Sequence, residues 1–206
     1  MAGAFLKAKA ILISFGIERI LLKSIIHSTL IFFVCGWFAF ALHADQTDPK
    51  LDDLFEQLLQ TDEESSLGQI EAQIWEIWLQ HPNPDVERLM QLGTQRMNAQ
   101  AVSEAMVVFT QLTINYPNYA EAWNKRATLH YLIGEQEASE ADIKKTLKLE
   151  PRHFGALSGL GLVYLQRNEL SKAKQAFEDL IAVHPNSPNA KTNLDLVDEQ
   201  LRLGVI

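Results

Sequence analysis

The stretch Phe154–Gly161, FGALSGLG, places three glycines and a serine within eight residues. Such a run can cradle a phosphate or present a serine nucleophile, so it is the first candidate for chemistry. It fits neither template. A phosphate loop of the P-loop type needs Lys-Ser or Lys-Thr after its last glycine, and Leu162-Val163 follow instead. A dinucleotide fingerprint needs the order G-x-G-x-x-G after a strand, whereas this order is G-x-x-x-G-x-G. A nucleophile elbow needs glycines two residues either side of the serine, and Ala156 and Leu160 stand there. Gly155 and Gly159 are one helical turn apart on one face. Because an interior helical glycine costs about 0.5–1 kcal/mol relative to alanine, that face is expected either to clear room for a ligand backbone or to pack tightly against a neighbour.

The histidines suggest a metal, but His81, His153 and His184 are about 30 residues or more apart, with no His-x3-His or His/Cys cluster. They are expected along one edge as cation-capable side chains near helix C-termini. Asp52-Asp53 and Glu63-Glu64 are adjacent pairs. Neighbours on a helix point about 100° apart, which is wrong for acid and base across a cleft. No catalytic residue, metal site or cofactor is expected from these sets, and the chain reads as no enzyme.

What must position these residues is a repeat. Pro117, Pro151 and Pro185 are 34 residues apart, and the intervals align: Leu89-x2-Leu92-Gly93…Ala105-x3-Phe109…Pro117; Trp123-x2-Arg126-Ala127…Ser139-x3-Ile143…Pro151; Leu157-x2-Leu160-Gly161-x2-Tyr164…Ala173-x3-Phe177…Pro185. Apolar residues at helical spacing over Ala120–Ile133 and Glu137–Leu149 flank a polar turn at Gly134–Gln136, and Phe154–Gln166 with Ser171–Val183 repeat this around Arg167–Glu169. A hairpin of two short helices cannot bury both apolar faces alone, so each must stack on the next. Trp123, Phe109 and Phe177 are expected to fill the seams, while Ala105, Ser139 and Ala173 let helices approach. Each proline ends a second helix.

This pattern resembles the tetratricopeptide repeat, W-x2-L-G-x2-Y…A-x3-F…P. The segments IWEIWLQ, LFEQLL and RHFGALSGLGL are similar to exported tetratricopeptide-repeat proteins of alphaproteobacteria, a resemblance that implies an envelope location. The implied fold is all-α, a solenoid of helical hairpins wound as a right-handed superhelix. Three units are expected at 86–119, 120–153 and 154–187. Residues 45–85 are expected to form a degenerate N-terminal hairpin, with a capping helix over 188–206. In the upstream hairpin, Leu51–Gln60 and Leu67–Gln80 read as helices, and Ser65 or Ser66 as the cap of the second.

The first 44 residues differ from the rest. They hold Lys7, Lys9, Arg19 and Lys23 against Glu18 alone, and Ser24–Ala44 contain no Asp, Glu, Lys or Arg. Basic leader, apolar run from Leu30 to Leu42 and Ala44 before a polar start predict a secretory signal peptide. An uncleaved membrane anchor and a transit peptide are the other readings. In the first two cases charge asymmetry places residues 45–206 on the far side of the membrane, which the resemblance to exported bacterial proteins implies is the periplasm. Cys35, the sole cysteine, lies in the apolar run. Residues 45–206 carry 14 basic and 25 acidic residues, which excludes a nucleic-acid footprint.

The expected function is therefore capture of a protein or peptide partner, with membrane contact only through the N-terminal segment. First-helix residues facing the groove are Met90, Gln91 and Thr94; Asn124, Lys125 and Thr128; Ser158, Gly159 and Leu162. Chaperone-binding members of the family clamp a C-terminal carboxylate with Lys, Arg and Asn, and here only Asn124 and Lys125 match. A peptide held by side-chain amides and by Met90 and Leu162 fits better. Alanine at Asn124 and Lys125, read as exposed, is expected to cost no more than about 1 kcal/mol of stability. Self-association through the Trp75/Trp78 helix and small-molecule or enzymatic chemistry are the alternatives.

Overall fold

The computed structural model describes residues 45–204; the leader, the apolar run and Cys35, on which the export expectations rest, lie outside them. Among the described residues all regular structure is helical: α1 (Lys50–Gln60), α2 (Glu64–Leu79), α3 (Pro84–Asn98), α4 (Val102–Asn115), α5 (Ala120–Leu132), α6 (Gln136–Leu149), α7 (Phe154–Gln166), α8 (Leu170–Val183) and α9 (Pro188–Leu203). No helix among them is long and apolar enough to cross a membrane.

The repeat builds three antiparallel hairpins, α3/α4, α5/α6 and α7/α8. They join through α4 on α5 and α6 on α7, while α3, α5 and α7 also adjoin in turn. First helices thus make one continuous wall. Each hairpin turns through one left-handed residue, Gln100, Gly134 or Asn168, again 34 residues apart. The next amide, of Ala101, Glu135 or Glu169, donates to the carbonyl five residues back, of Arg96, His130 or Tyr164. This lock satisfies a C-terminal helix carbonyl that would otherwise be orphaned. Gly134 and Asn168 announce such a turn by residue type, and Gln100 does not.

Inside each hairpin a small residue meets a large one. A Cβ on Gly93 would stand 2.6 Å from the Phe109 ring, and one on Gly161 would collide with Phe177. Where Ala127 replaces the glycine, the slimmer Ile143 replaces the aromatic, and both are buried together. Ala105, Ser139 and Ala173 are fully buried, as close helix approach requires. Ser139 adds a hydrogen bond from its hydroxyl to the Ala127 carbonyl, 2.9 Å.

Polar contacts fix the seams between hairpins. Arg126 reaches both Asp142 oxygens, at 2.6 and 2.8 Å, and donates to Thr113 Oγ1 at 2.7 Å, tying α4, α5 and α6. Glu140 accepts from the Tyr164 hydroxyl at 2.8 Å and pairs with Arg167. Partial burial works against its charge, but Lys144, Tyr164 and Arg167 prevail and hold the carboxyl at about 2.

Three expectations need correction. Trp123 fills no seam: it is half-buried, its indole N–H donates to the Pro117 carbonyl at 3.1 Å, and Arg126 and Lys145 lie over its ring. A cation-bearing surface suits an indole face, so the seam leaves it outside. Secondly, α2 starts at Glu64, with Glu63 at the cap position; Ser65 and Ser66 donate to the Glu63 carboxylate rather than capping the helix themselves. Thirdly, the α1/α2 hairpin does not stack ahead of the first repeat as a fourth unit. It packs on α5 and α8 instead. At the other end α9 covers α8, burying Ala190 and Val197 completely. Ser187 caps it by accepting from the Ala190 amide at 3.4 Å.

Candidate functional site

The path of α1/α2 follows from where its apolar residues find partners. Tethers fall on the loops between repeats. Gln46 donates to the Asn118 carbonyl at 2.7 Å and accepts from the Ala120 amide at 3.1 Å; Tyr119 donates to the Leu79 carbonyl at 2.8 Å. Arg152 pairs with Asp52 at 2.7 Å, His184 with Glu71 at 2.5 Å, and Asn186 donates to the Thr61 carbonyl at 2.8 Å. Asp52 stays largely exposed while serving as one of these anchors.

Across those loops lies an aromatic cluster. Trp78, 1% exposed, stacks on His153 with ring centroids 3.9 Å apart. Trp75 meets Phe154 edge-on at 5.3 Å, and Phe55 of α1 meets Phe154 at 6.5 Å. With Leu51, Leu58, Ile70, Ile74 and Ile77 these residues join the same apolar cluster as Leu157 and Phe177 of the third hairpin. Burying a large aromatic side chain contributes about 2–3 kcal/mol. The hairpin is therefore an integral part of the core. Trp78 is thereby unavailable to a second copy, which removes the basis for self-association through both tryptophans.

This packing decides the two glycines separately. A Cβ at Gly155 would stand 2.7 Å from Trp75 Cη2, so Gly155 clears room for the chain's own α2. A Cβ at Gly159 would meet only Ile143 Cδ1 of the preceding hairpin, at 3.4 Å. One glycine is an approach site and the other is ordinary repeat packing.

Beneath Trp75 and Trp78 sits a buried charge. Glu121 is 1% exposed. Its Oε2 lies 2.9 Å from His153 Nε2 and accepts from the Asn124 amide at 3.0 Å, while Lys125 Nζ is 3.1 Å from Oε1. The His153 Nδ1 accepts from the Ala156 amide at 3.1 Å, capping α7, so the ring proton must sit on Nε2 and point at Glu121. Burial opposes ionisation of Glu121, but Lys125 and His153 outweigh it and hold the carboxyl below its ordinary range. His153 is thus a helix N-cap and His184 a C-cap, where C-terminal helix positions had been expected for all the histidines. Among the described residues no group of three or more His, Cys, Asp or Glu is placed to hold a metal.

The residues expected to line the groove fare unequally. Asn124, 7% exposed, is spent on Glu121, and Lys125 is both paired with Glu121 and 5.5 Å from the Trp75 ring centroid. Neither is a free donor for a carboxylate. Thr128 donates to its own helix at the Asn124 carbonyl, 3.0 Å. Ser158 and Gly159 are half-buried, and Leu162 packs against the main apolar cluster.

Met90 and Thr94 have a different setting. They line a cleft of about 820 Å³ between α2 and α3, whose floor and walls include Trp75, Leu79, Glu76 and Glu87. Gln80, Gln91, Gln95 and Asn98 rim it with amides. Met90 is itself 1% exposed and forms floor, not rim. The α2 half of this cleft was missed from sequence. The strong apolarity of the Trp75/Trp78 helix was visible, but nothing in it said which surface it would cover.

Comparison with known proteins agrees with this architecture. The family model described as Tetratricopeptide repeat matches residues 156–187, which hold most of the third hairpin. A TPR repeat-containing protein of Rhizobium etli is 29% identical over 152 residues, covering 74% of each chain. The crystal structure of the Sgt2 TPR domain from Aspergillus fumigatus shares 24% identity and a TM-score of 0.55, over 58% of this chain and 81% of that one. The Yersinia enterocolitica type III secretion chaperone SycD, in complex with a peptide of the translocator YopD, shares 13% identity and a TM-score of 0.55 over 57% of this chain and 95% of that one. At such identities the solved structures speak for the fold alone. By its 34-residue period and stacked hairpins the chain has the fold of a tetratricopeptide-repeat solenoid, and residues 156–187 match the model of that repeat.

Proposed function

We propose that the protein is a non-catalytic interaction module that takes a peptide segment of a partner protein into the cleft between α2 and α3. The observation that carries this is the cleft itself: an apolar floor of Trp75, Leu79 and Met90 rimmed by four side-chain amides. Apolar pockets set the side chain of an extended or helical peptide, and amides bind its backbone. A peptide-bound chaperone of the same fold supports the mode. The basic-then-apolar N-terminal segment supports export, with the module working in a bacterial periplasm, free after cleavage or held by an uncleaved anchor.

A photo-crosslinking residue at Thr94, in the cleft, should capture a defined partner in cells. The same residue at Val107, 68% exposed and outside the cleft, should not. Equal capture from both positions, or none from Thr94, would remove the cleft from consideration. Recovery of the chain in the cytoplasmic fraction would refute the location.

A further inference from the structure

We infer that the segment accepted by this cleft is basic: one bulky apolar side chain flanked by lysine or arginine. This rests on the peptide-binding reading above and specifies its partner. Glu76 and Glu87 line the cleft, one on each of the two helices that form it, and no Lys, Arg or His lines it. Glu76 is exposed on α2, and Glu87, half-buried on α3, uses Oε1 to accept from the His81 amide at 3.2 Å. The cations on and around these helices are paired or lie elsewhere: Arg88 and Arg96 of α3 pair with Asp85 and Glu104. Lys125 is paired with Glu121, and Lys50 lines the adjoining cleft on the far side of Glu76, where Asp48 and Asp53 outnumber it.

Two carboxylates lining one cleft with an apolar floor make a site of one sign. An apolar side chain entering between them excludes water, which strengthens the attraction of each carboxylate for a cation on the same peptide. Acidic segments meet repulsion from the site and from a body that carries 14 basic against 25 acidic residues over 45–206. The floor adds tolerance for the apolar residue, since the flexible Met90 thioether adapts to different shapes. The occupant is thus defined by its chemistry, an apolar residue between positive charges.

The test uses the full-length chain and three dodecapeptides with the same central phenylalanine and leucine, flanked by lysine, glutamine or glutamate. Binding is read by peptide anisotropy and by the change in intrinsic tryptophan fluorescence, to which Trp75 in the cleft contributes. The lysine-flanked peptide should bind about tenfold tighter than the glutamine-flanked one at low salt, with the advantage shrinking as salt rises. The glutamate-flanked peptide should bind weakest. Glu76→Gln with Glu87→Gln should abolish the lysine advantage while leaving glutamine-flanked binding within twofold, which a merely unfolded variant could not do. Equal affinity for all three, or an advantage that survives the double change, overturns the inference and spares the peptide-binding reading. Failure of every peptide to bind sinks both. A concentration-dependent doubling of mass that excludes the peptides assigns the cleft to a second copy of the chain and also overturns it.

Discussion

The first-helix wall has two halves that differ in what covers them. Over the first turns of α5 and α7 it is sealed by the chain's own α2, with Trp78 stacked on His153 and Trp75 seated on Gly155. Beside α3 the same helix stands off and leaves the cleft floored by Met90. The lesson is that repeat geometry alone does not define a binding groove. Residues at equivalent positions, Met90 and Asn124, become cleft floor in one repeat and partner of a buried carboxylate in the next. What separates them is a pair of tryptophans more than 40 residues away from the second repeat's groove residues.

The sealed half should be the one that breaks the molecule. Trp78→Ala removes a fully buried indole from the junction, and a loss of about 3–5 kcal/mol in urea unfolding is expected. A loss below about 1 kcal/mol would show the hairpin to be a loose appendage and erase the distinction between the halves. Lys125→Ala comes next, at about 3 kcal/mol, because it strips a counter-charge from buried Glu121. This replaces the small effect that exposure would have implied. The pH dependence has a definite sign. Glu121 is ionised more readily in the fold than its ordinary value of 4.5 allows, so the pairing stabilises the protein above that pH. The contribution is lost as pH falls through the depressed folded value. Glu121→Gln should flatten the acid limb of the stability profile measured by thermal unfolding.

The glycines give the finest contrast. Gly155→Val, driven into Trp75, should cost about 1–3 kcal/mol. Trp75→Ala should recover part of that in a double-mutant cycle. Gly159→Ala, four residues on, should stabilise the protein by up to about 0.5–1 kcal/mol, since alanine favours the helix and its Cβ has ordinary room. Equal penalties at both positions would mean that α2 is not what Gly155 accommodates.

The repeat was legible because its signals are local. The proline period recurs once per repeat, and the Ala105, Ser139 and Ala173 positions each act inside their own hairpin, where sequence spacing converts directly into contact. The candidate site was only half legible. Met90 and Thr94 follow from helical phase on α3, but the opposing wall depends on α2 folding back across the second and third repeats. That contact spans Trp75 to Gly155 and Glu71 to His184, separations at which a single sequence carries no register. Buried Glu121 was missed for a related reason. A glutamate in the first turn of α5 reads as a helix-dipole charge, and its burial requires the tryptophans above it. Gln100 hid the first hairpin turn, because its residue type gives no sign of a left-handed backbone.

Amide hydrogen exchange on the full-length chain, with and without the lysine-flanked peptide, tests the division of the wall most directly. If α2 seals the second and third repeats and leaves the first open, its amides should exchange as slowly as those of α5 and α7. Added peptide should then slow exchange over α2 and α3 and leave Ser158–Leu162 unchanged. Rapid exchange throughout α2, or peptide protection centred on Ser158–Leu162, would contradict it.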